Sequence, residues 1–239
     1  KVISCETSQP IAKAAKEILS KNGFSNQVSV INKKSTELNI GKELEKKADL
    51  VISEILSSEF IGEGVQSTIL DANQRLLKEN GRMIPESGDM KIALLESNQE
   101  IKEEFFVGNV NGYDLSKFNE YTGNKFSISN IQPNISFLSK EEIAFSYNFY
   151  QKENIQKQEK ILELNVIKSG ISLGLITWFK LNLHEDIYLE TKPGGNEKSH
   201  WRNPVYTFKK PLNVSKGQSI RVKSTLLEDS IWFELVDIK

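Results

Sequence analysis

The sequence predicts two parts of different class: a partial doubly wound α/β unit, then an antiparallel β barrel or sandwich. Strand and helix patterns alternate through the first third of the chain. From Met83-Ile84-Pro85 onward, short runs rich in β-branched and aromatic residues succeed one another with almost no helical period. Turn clusters at Lys192-Pro193-Gly194-Gly195-Asn196 and Ser215-Lys216-Gly217-Gln218 separate some of these runs. The boundary is expected near Pro85, giving domains over residues 1–84 and 85–239.

Lys1 to Glu6 read as the tail of a strand ending in an acidic residue. Thr7 or Ser8 offers a helix N-cap, and Pro10 sits where an early helical position tolerates it. Ile11, Ala14, Ala15, Ile18 and Leu19 then recur at helical spacing, and Asn22-Gly23 ends the helix. Val28 to Asn32 is a β-branched strand candidate, and Ala48 to Ser53 is a near-continuous apolar run suited to a buried parallel sheet. A second helix is expected from Val65 to Lys78, closed by Asn80-Gly81. Beyond the boundary, strands are expected over 91–95, 143–150, 161–167, 173–183 and 220–224. The polar stretch from Gly112 to Asn130, with Tyr113, Leu115, Phe118 and Tyr121 set in it, reads as an excursion from the β part.

Composition narrows the function classes. The 239 residues are 38% hydrophobic and 26% charged with a net charge of −1, ordinary for a soluble globular protein and unlike a basic nucleic-acid platform. No run approaches the roughly 18 apolar residues of a membrane span. A single cysteine, Cys5, excludes an internal disulfide framework and fits a reducing compartment, with the side chain expected buried and not nucleophilic. Two histidines and one cysteine leave little for a zinc site, so no metal is expected.

The chemistry concentrates in Ser53-Glu54-Ile55-Leu56-Ser57-Ser58-Glu59-Phe60-Ile61-Gly62-Glu63-Gly64. Glu54 ends a buried-type strand, where ligands bind in open α/β sheets. Glu63 follows nine residues later, a spacing that opposes the two carboxylates on either a helix or a strand. They converge only if the chain loops back, which Gly62 and Gly64 permit. Two converging carboxylates suit a guanidinium, planar, rich in donors and charged at every accessible pH. From the residues alone, Glu54 and Glu63 as solvated loop carboxylates is the favoured reading, and Glu59 reads as surface charge. Glu6 presents a further acidic strand end, the kind that binds a ribose about 20 residues after a glycine-rich turn. That turn is expected upstream of Lys1, and the chain is expected to be a fragment.

The run from Glu54 to Ser97 resembles the double-glutamate loop, helix and barrel start of the protein arginine methyltransferases, with "SEILSSEFIGEG" nearest the type III, monomethylating branch. Val2 to Glu6 and "IAKAAKEILSKNGF" resemble that family's ribose-binding strand end and following helix, and "NKKSTEL" its adenine-lining segment. Far downstream, Ser199-His200-Trp201 resembles the family's Thr-His-Trp loop, and Trp178-Phe179 a barrel strand. The resemblance implies a partial Rossmann-like class I methyltransferase sheet followed by a β-barrel domain. It implies transfer of a methyl group from S-adenosyl-L-methionine to a guanidinium nitrogen of protein arginine. Glu6 would hold the ribose, Ser35 and Thr36 would lie beside the adenine, Glu54 and Glu63 would clamp the guanidinium, and His200 and Trp201 would shape the arginine pocket. Many relatives carry a glutamate at the position of Thr36.

The same resemblance implies protein substrates with arginines in flexible glycine- or basic-rich segments, such as histones and RNA-binding proteins, and a cytoplasmic or nuclear location. The 112–130 excursion lies where the family's dimerisation arm emerges, implying a homodimer or an intrachain pseudo-dimer. No membrane and no direct nucleic-acid contact are expected. The family's acidic partner for the loop histidine lies upstream, so His200 is expected unpaired and the chain by itself inactive. Without the resemblance, His200 reads as a surface residue, as does His184, and Trp201 as a core tryptophan. Two other readings stand beside the enzyme: a non-catalytic scaffold on the same fold, and a carbohydrate-binding sandwich stacking sugars on Trp178, Trp201 and Trp232.

Overall fold

The computed structural model describes residues 1–153, 155–195 and 199–239, so Asn196 of the expected 192–196 turn lies outside the described residues. The chain forms two compact units. The first comprises Lys1–Ser53, Ser67–Ile84 and a short segment from Phe149; the second comprises Glu54–Gln66, Pro85–Asn148 and Ile155–Lys239.

In the first unit β1 (Val2–Cys5), α1 (Gln9–Lys21), β2 (Val28–Ile31), β3 (Ala48–Ile52), α2 (Val65–Asp71) and β4 (Leu77–Ile84) follow in order, the division between units falling within α2. β1 pairs with β2 and β3 with β4, both parallel, the pattern of an α/β unit. Helix α1 starts at Ser8 with Pro10 in its first turn, and Gly23 takes φ +77° just beyond it. Its apolar stripe is not buried as a set: Ala12 is 2% exposed, whereas Ile11 and Ile18 are 58% and 60% exposed. Each parallel pair is only two strands wide, so much of the apolar surface on this unit has no neighbouring strand to cover it. The thiol of Cys5 is likewise exposed, contrary to expectation. Partial desolvation and the neighbouring Glu6 nevertheless push its pKa up, against a backbone hydrogen bond that lowers it.

The helix expected to run to Lys78 ends earlier. A wider π turn over Ala72–Leu76 follows α2, and β4 takes Leu77 onward, Asn80-Gly81 included. Pairing decides this, since Leu50, Val51 and Ile52 find parallel partners in Arg82, Met83 and Ile84. Arg75 fastens the π turn: Nε and Nη2 donate to Asp71 at 2.6 and 2.8 Å, and Nη1 donates to the Leu38 carbonyl at 2.6 Å.

The second unit is the β barrel. Its elements are β5 (Ser87–Glu96), α3 (Gln99–Phe105), β6 (Asn109–Val110), β7 (Tyr113–Asp114), β8 (Lys125–Ile128), β9 (Glu142–Asn148), β10 (Lys157–Asn165), β11 (Gly170–His184), β12 (Ile187–Glu190), β13 (Asn203–Val214), β14 (Ser219–Leu227) and β15 (Ser230–Ile238). One antiparallel sheet runs β8-β13-β11-β5-β9 with β12 added to β11, and the other runs β10-β14-β15. The expected excursion is therefore split: β6 and β7 form a small hairpin, while β8 joins the large sheet. The 15-residue β11 pairs with three strands and is buried from Leu173 through Phe179. Around it Leu95, Ile101, Ile128, Ile176, Trp178 and Val205 form one apolar cluster.

Two local devices hold β11. At Gly174 the neighbouring strand comes so close that a Cβ would lie 2.2 Å from the Tyr206 carbonyl oxygen. Trp178 stacks on Phe137 at 5.5 Å and donates its indole N–H to Glu190 Oε1 at 3.0 Å. Glu190 and Glu141 share the Lys91 ammonium at 3.2 and 2.7 Å, and Glu141 also takes Lys192 at 2.6 Å. Burial pushes the Glu141 carboxyl up, but the hydrogen bonds from Lys192 and Lys91 overcome this and leave it below the usual range.

Two outcomes follow. Gly174→Ala must displace backbone and should cost about 1–3 kcal/mol or more in chemical denaturation, whereas Gly123→Ala, with nothing within 4 Å, should be near neutral. A depressed folded-state pKa at Glu141 gives stability that is present above the unfolded value, about 4.3, and is lost as pH falls through the folded one. The difference in melting temperature between the wild type and Glu141→Gln should therefore be largest near neutrality and shrink on acidification.

Candidate functional site

The loop carrying both candidate glutamates belongs to the barrel unit, and an aromatic cluster anchors it there. Phe60 is fully buried, 5.8 Å from the Phe179 ring and 6.5 Å from Tyr147. It takes φ +68°, and Glu63 and Gly64 follow at +58° and +80°. The chain thus reverses through left-handed residues, two of which carry side chains, a conformation that costs roughly 1–3 kcal/mol and persists only where surroundings enforce it. Gly62 has a different task from the one expected, because a Cβ there would sit 2.6 Å from Ser57 Oγ. It lets the loop close on itself.

From the other side, residues 199–202 clasp this loop. The Trp201 indole N–H donates to the Leu56 carbonyl at 2.8 Å, and the Arg202 amide donates to Ser58 Oγ at 3.0 Å. Trp201 is 8% exposed and meets Phe179 edge-on at 5.3 Å. Next to it, His200 packs at 3.9 Å between ring centroids and places Nε2 3.1 Å from Glu54 Oε1. His200 is therefore paired, contrary to expectation, and its partner is one of the candidate glutamates. Both side chains are about two-thirds exposed, 68% and 66%. So open a pair contributes little to stability; its arrangement bears on what the surface offers a ligand. Glu63 is exposed and makes no side-chain hydrogen bond among the described residues.

Glu59 is not idle surface charge. It pairs with Lys125 on β8, whose ammonium lies 5.7 Å from the Tyr206 ring centroid. Burial and the nearby Glu59 charge together push the Tyr206 hydroxyl well above its usual pKa. Other residues of the site carry no local sequence signature. Asn130, 4% exposed, accepts the Gly194 amide on its carbonyl at 2.8 Å and the Ser199 amide on its side-chain oxygen at 3.0 Å. It thereby fastens the backbone immediately before His200. Asp229 and Gln66 grip the far end of the glutamate loop: the Gly64 amide donates to Asp229 Oδ2 at 3.0 Å, and Gln66 Nε2 donates to the Glu228 carbonyl at 2.5 Å. Their partners lie up to 165 positions away, so no windowed pattern reveals them. His184 is not a bare surface residue either, since its Nδ1 is 2.8 Å from Glu86 Oε1.

In the first unit, Glu6 directly follows β1 and its Oε1 accepts the Ser8 amide at 2.6 Å. The other oxygen has no partner among the described residues. Ser35 and Thr36 lie in a short 3-10 turn, Ser35–Glu37, whose Ser35 carbonyl accepts from Arg75 at 3.2 Å.

Residues 87–239 match the family described as the arginine methyltransferase oligomerization subdomain, which is well over half of the chain. The chain belongs to the arginine methyltransferase family. An arginine N(omega)-methyltransferase of Streptomyces achromogenes subsp. streptozoticus is 28% identical over 224 residues, covering 93% of this chain and 61% of that protein. Protein arginine N-methyltransferase 7 of Drosophila erecta is 26% identical over 270 residues, covering 98% of this chain and 39% of that one. The chain thus spans between about two-fifths and three-fifths of these relatives. Among solved structures, the Trypanosoma brucei PRMT1 enzyme-prozyme heterotetrameric complex with AdoHcy superposes with a TM-score of 0.78 at 22% identity, over 94% of this chain and 70% of that one. This likeness establishes the fold: part of a Rossmann-like methyltransferase sheet and a β barrel.

Trp178 and Trp201, at 1% and 8% exposed, offer no stacking face to a sugar, while Trp232, the third tryptophan of the carbohydrate-binding reading, is half-buried. Trp201→Phe should keep a buried ring while leaving the Leu56 carbonyl without its donor. The expected cost is about 1–3 kcal/mol, read as faster amide hydrogen exchange at Phe60 and Ile61.

Proposed function

We propose that this chain supplies the arginine-binding face, and part of the cofactor site, of an S-adenosyl-L-methionine-dependent protein arginine N-methyltransferase. The observation that carries this reading is the exposed Glu54–His200 pair, 3.1 Å apart on two loops that the barrel holds together. Residues 1–84 are assigned to the cofactor half and 85–239 to the substrate barrel. The glutamate loop is sequence of the first and packing of the second.

An arginine side chain brings a planar cation that carboxylates bind through paired, charge-assisted hydrogen bonds. Glu54 and Glu63 would each take one edge and draw the positive charge toward themselves. The guanidinium nitrogen left outside these bonds then keeps more lone-pair character and becomes the nucleophile. The proton it releases leaves through Glu54 and His200, which are within hydrogen-bonding distance of each other. Trp201 acts from behind, its buried ring fixing the direction of the neighbouring imidazole.

Glu6 would hold the ribose of S-adenosyl-L-methionine, and its unengaged carboxylate oxygen at a parallel strand end suits a diol. Ser35 and Thr36 would line the adenine. When bound, the cofactor supplies a methyl group on a sulfonium with a good leaving group, so the side chains contribute alignment and electrostatics. The names of the relatives, the 87–239 family description and the AdoHcy in the Trypanosoma complex support this cofactor and this chemistry. Similarity to the Drosophila methyltransferase 7 supports the monomethylating branch.

Protein substrates with arginines in flexible glycine- or basic-rich segments, in cytoplasm or nucleus, fit an open site of this kind. The exposed Tyr113, Phe118 and Tyr121 of the β6–β7 region support pairing as a homodimer or an intrachain pseudo-dimer.

The test has two arms. Calorimetric titration of S-adenosylhomocysteine into the 239-residue chain, beside a longer protein containing it, should show binding in the longer one. That protein should methylate an arginine-rich peptide, and Glu54→Gln or Glu63→Gln should lower kcat/KM by on the order of 100-fold or more. No methyl transfer by the unmutated longer protein would sink the enzyme reading and leave a scaffold.

A further inference from the structure

We propose that Asp229, in the turn between β14 and β15, is a positioning residue for Glu63. The inference rests on the methyltransferase reading and extends it to a side chain that touches neither substrate nor cofactor.

Glu63 cannot hold its own orientation. Its left-handed φ of +58° is disfavoured for a residue with a side chain, and its carboxylate has no partner among the described residues. Whatever aims it must act through the backbone on either side. Upstream, Phe60 and Ile61 are fully buried, and the Val65 amide closes a turn onto the Gly62 carbonyl at 3.1 Å. Downstream, the next peptide group is gripped by a charge: the Gly64 N–H donates to Asp229 Oδ2 at 3.0 Å. A hydrogen bond to a carboxylate is roughly twice as strong as one between neutral groups. It fixes the peptide plane joining Glu63 to Gly64, and with it the direction of the Glu63 side chain.

The turn that carries Asp229 is itself held firmly. Glu228 takes φ +52°, its amide donates to the Gln156 carbonyl at 2.9 Å, and its carbonyl accepts Gln66 Nε2 at 2.5 Å. Gln66 is 2% exposed, and its side-chain oxygen accepts the Ile155 amide at 2.8 Å. One turn at the end of the three-stranded sheet thus grips the glutamate loop at Gly64 and again at Gln66. The carboxylate at 229 reaches the residue adjoining Glu63.

The experiment compares Asp229→Ala with Asp229→Asn in the longer active protein. Asparagine keeps an acceptor oxygen and drops the charge; alanine removes both. Asp229→Ala should lower kcat for an arginine peptide on the order of 10- to 100-fold, the cost of a small misplacement. KM for S-adenosyl-L-methionine should stay within about twofold, and Asp229→Asn should recover most of the activity, as expected when the backbone hydrogen bond is what matters. Amide exchange at Gly64, measured on the same variants, should accelerate with alanine and remain near wild type with asparagine. Wild-type kcat in Asp229→Ala, loss as deep in Asp229→Asn, a cofactor KM that worsens with kcat, or unchanged Gly64 exchange each overturns the assignment. An inactive wild type is a different failure: it removes the methyltransferase reading, and this assignment with it.

Discussion

The site depends on the burial of one aromatic side chain in a loop. Phe60 leaves the 54–66 segment and packs against Phe179 and Tyr147, and Trp201 approaches Phe179 from the other side. Burying a phenyl ring is worth about 1.5–3 kcal/mol, comparable to the cost of one of the two left-handed residues, Phe60 and Glu63. Without that anchor the loop has little to keep it reversed, and the carboxylates at either end have no fixed separation. The barrel strand β11 makes the anchor possible by presenting Phe179, paired with Met90 of β5, from a long element.

Around the anchor, polar contacts divide the work of aiming the exposed groups. Trp201, Arg202 and Asn130 fasten the loop of His200, while Asp229 and Gln66 fasten the end that bears Glu63. These are mostly bonds to backbone amides and carbonyls, which orient a segment without consuming the functional side chain. The exposed Glu54–His200 pair contributes little to stability, and the Glu63 carboxylate is left unengaged among the described residues. A binding surface for a cation needs this combination of rigid support and unspent charge.

The first unit follows a different logic. Its two parallel strand pairs and the helices beside them leave Val2, Ile11, Ile18 and Ile52 more than half exposed. Its polar fastenings join successive elements: Arg75 reaches Asp71 and the carbonyls of Leu38 and Ser35, and Asn32 Nδ2 donates to the carbonyls of Glu6 and Thr7 at 2.8 and 2.9 Å. The latter bonds set the backbone at the strand end where Glu6 stands.

The class of each half was legible because hydrophobic period and turn residues act over a few positions. Gly23 ends α1 and the apolar run at 48–52 forms a parallel strand, as local preference dictates. The residue types at 54, 63 and 199–201 likewise carried the resemblance to the family before any fold was known. Other features were set by partners distant in sequence. Asn80-Gly81 reads as a helix stop, yet it lies in the irregular stretch of β4 between the Leu77 and Arg82 pairings to β3, the helix having ended before it. Lys125–Ile128 reads as loop until β13 pairs with it. His200 finds Glu54, and Asp229 finds Gly64, only after the barrel has closed. Sequence alone therefore determined which side chains were available and what local backbone they favoured. Tertiary structure decided which of them meet, because hydrogen bonds and ring contacts fall off within a few ångströms, and only folding brings residues so far apart in the chain that close.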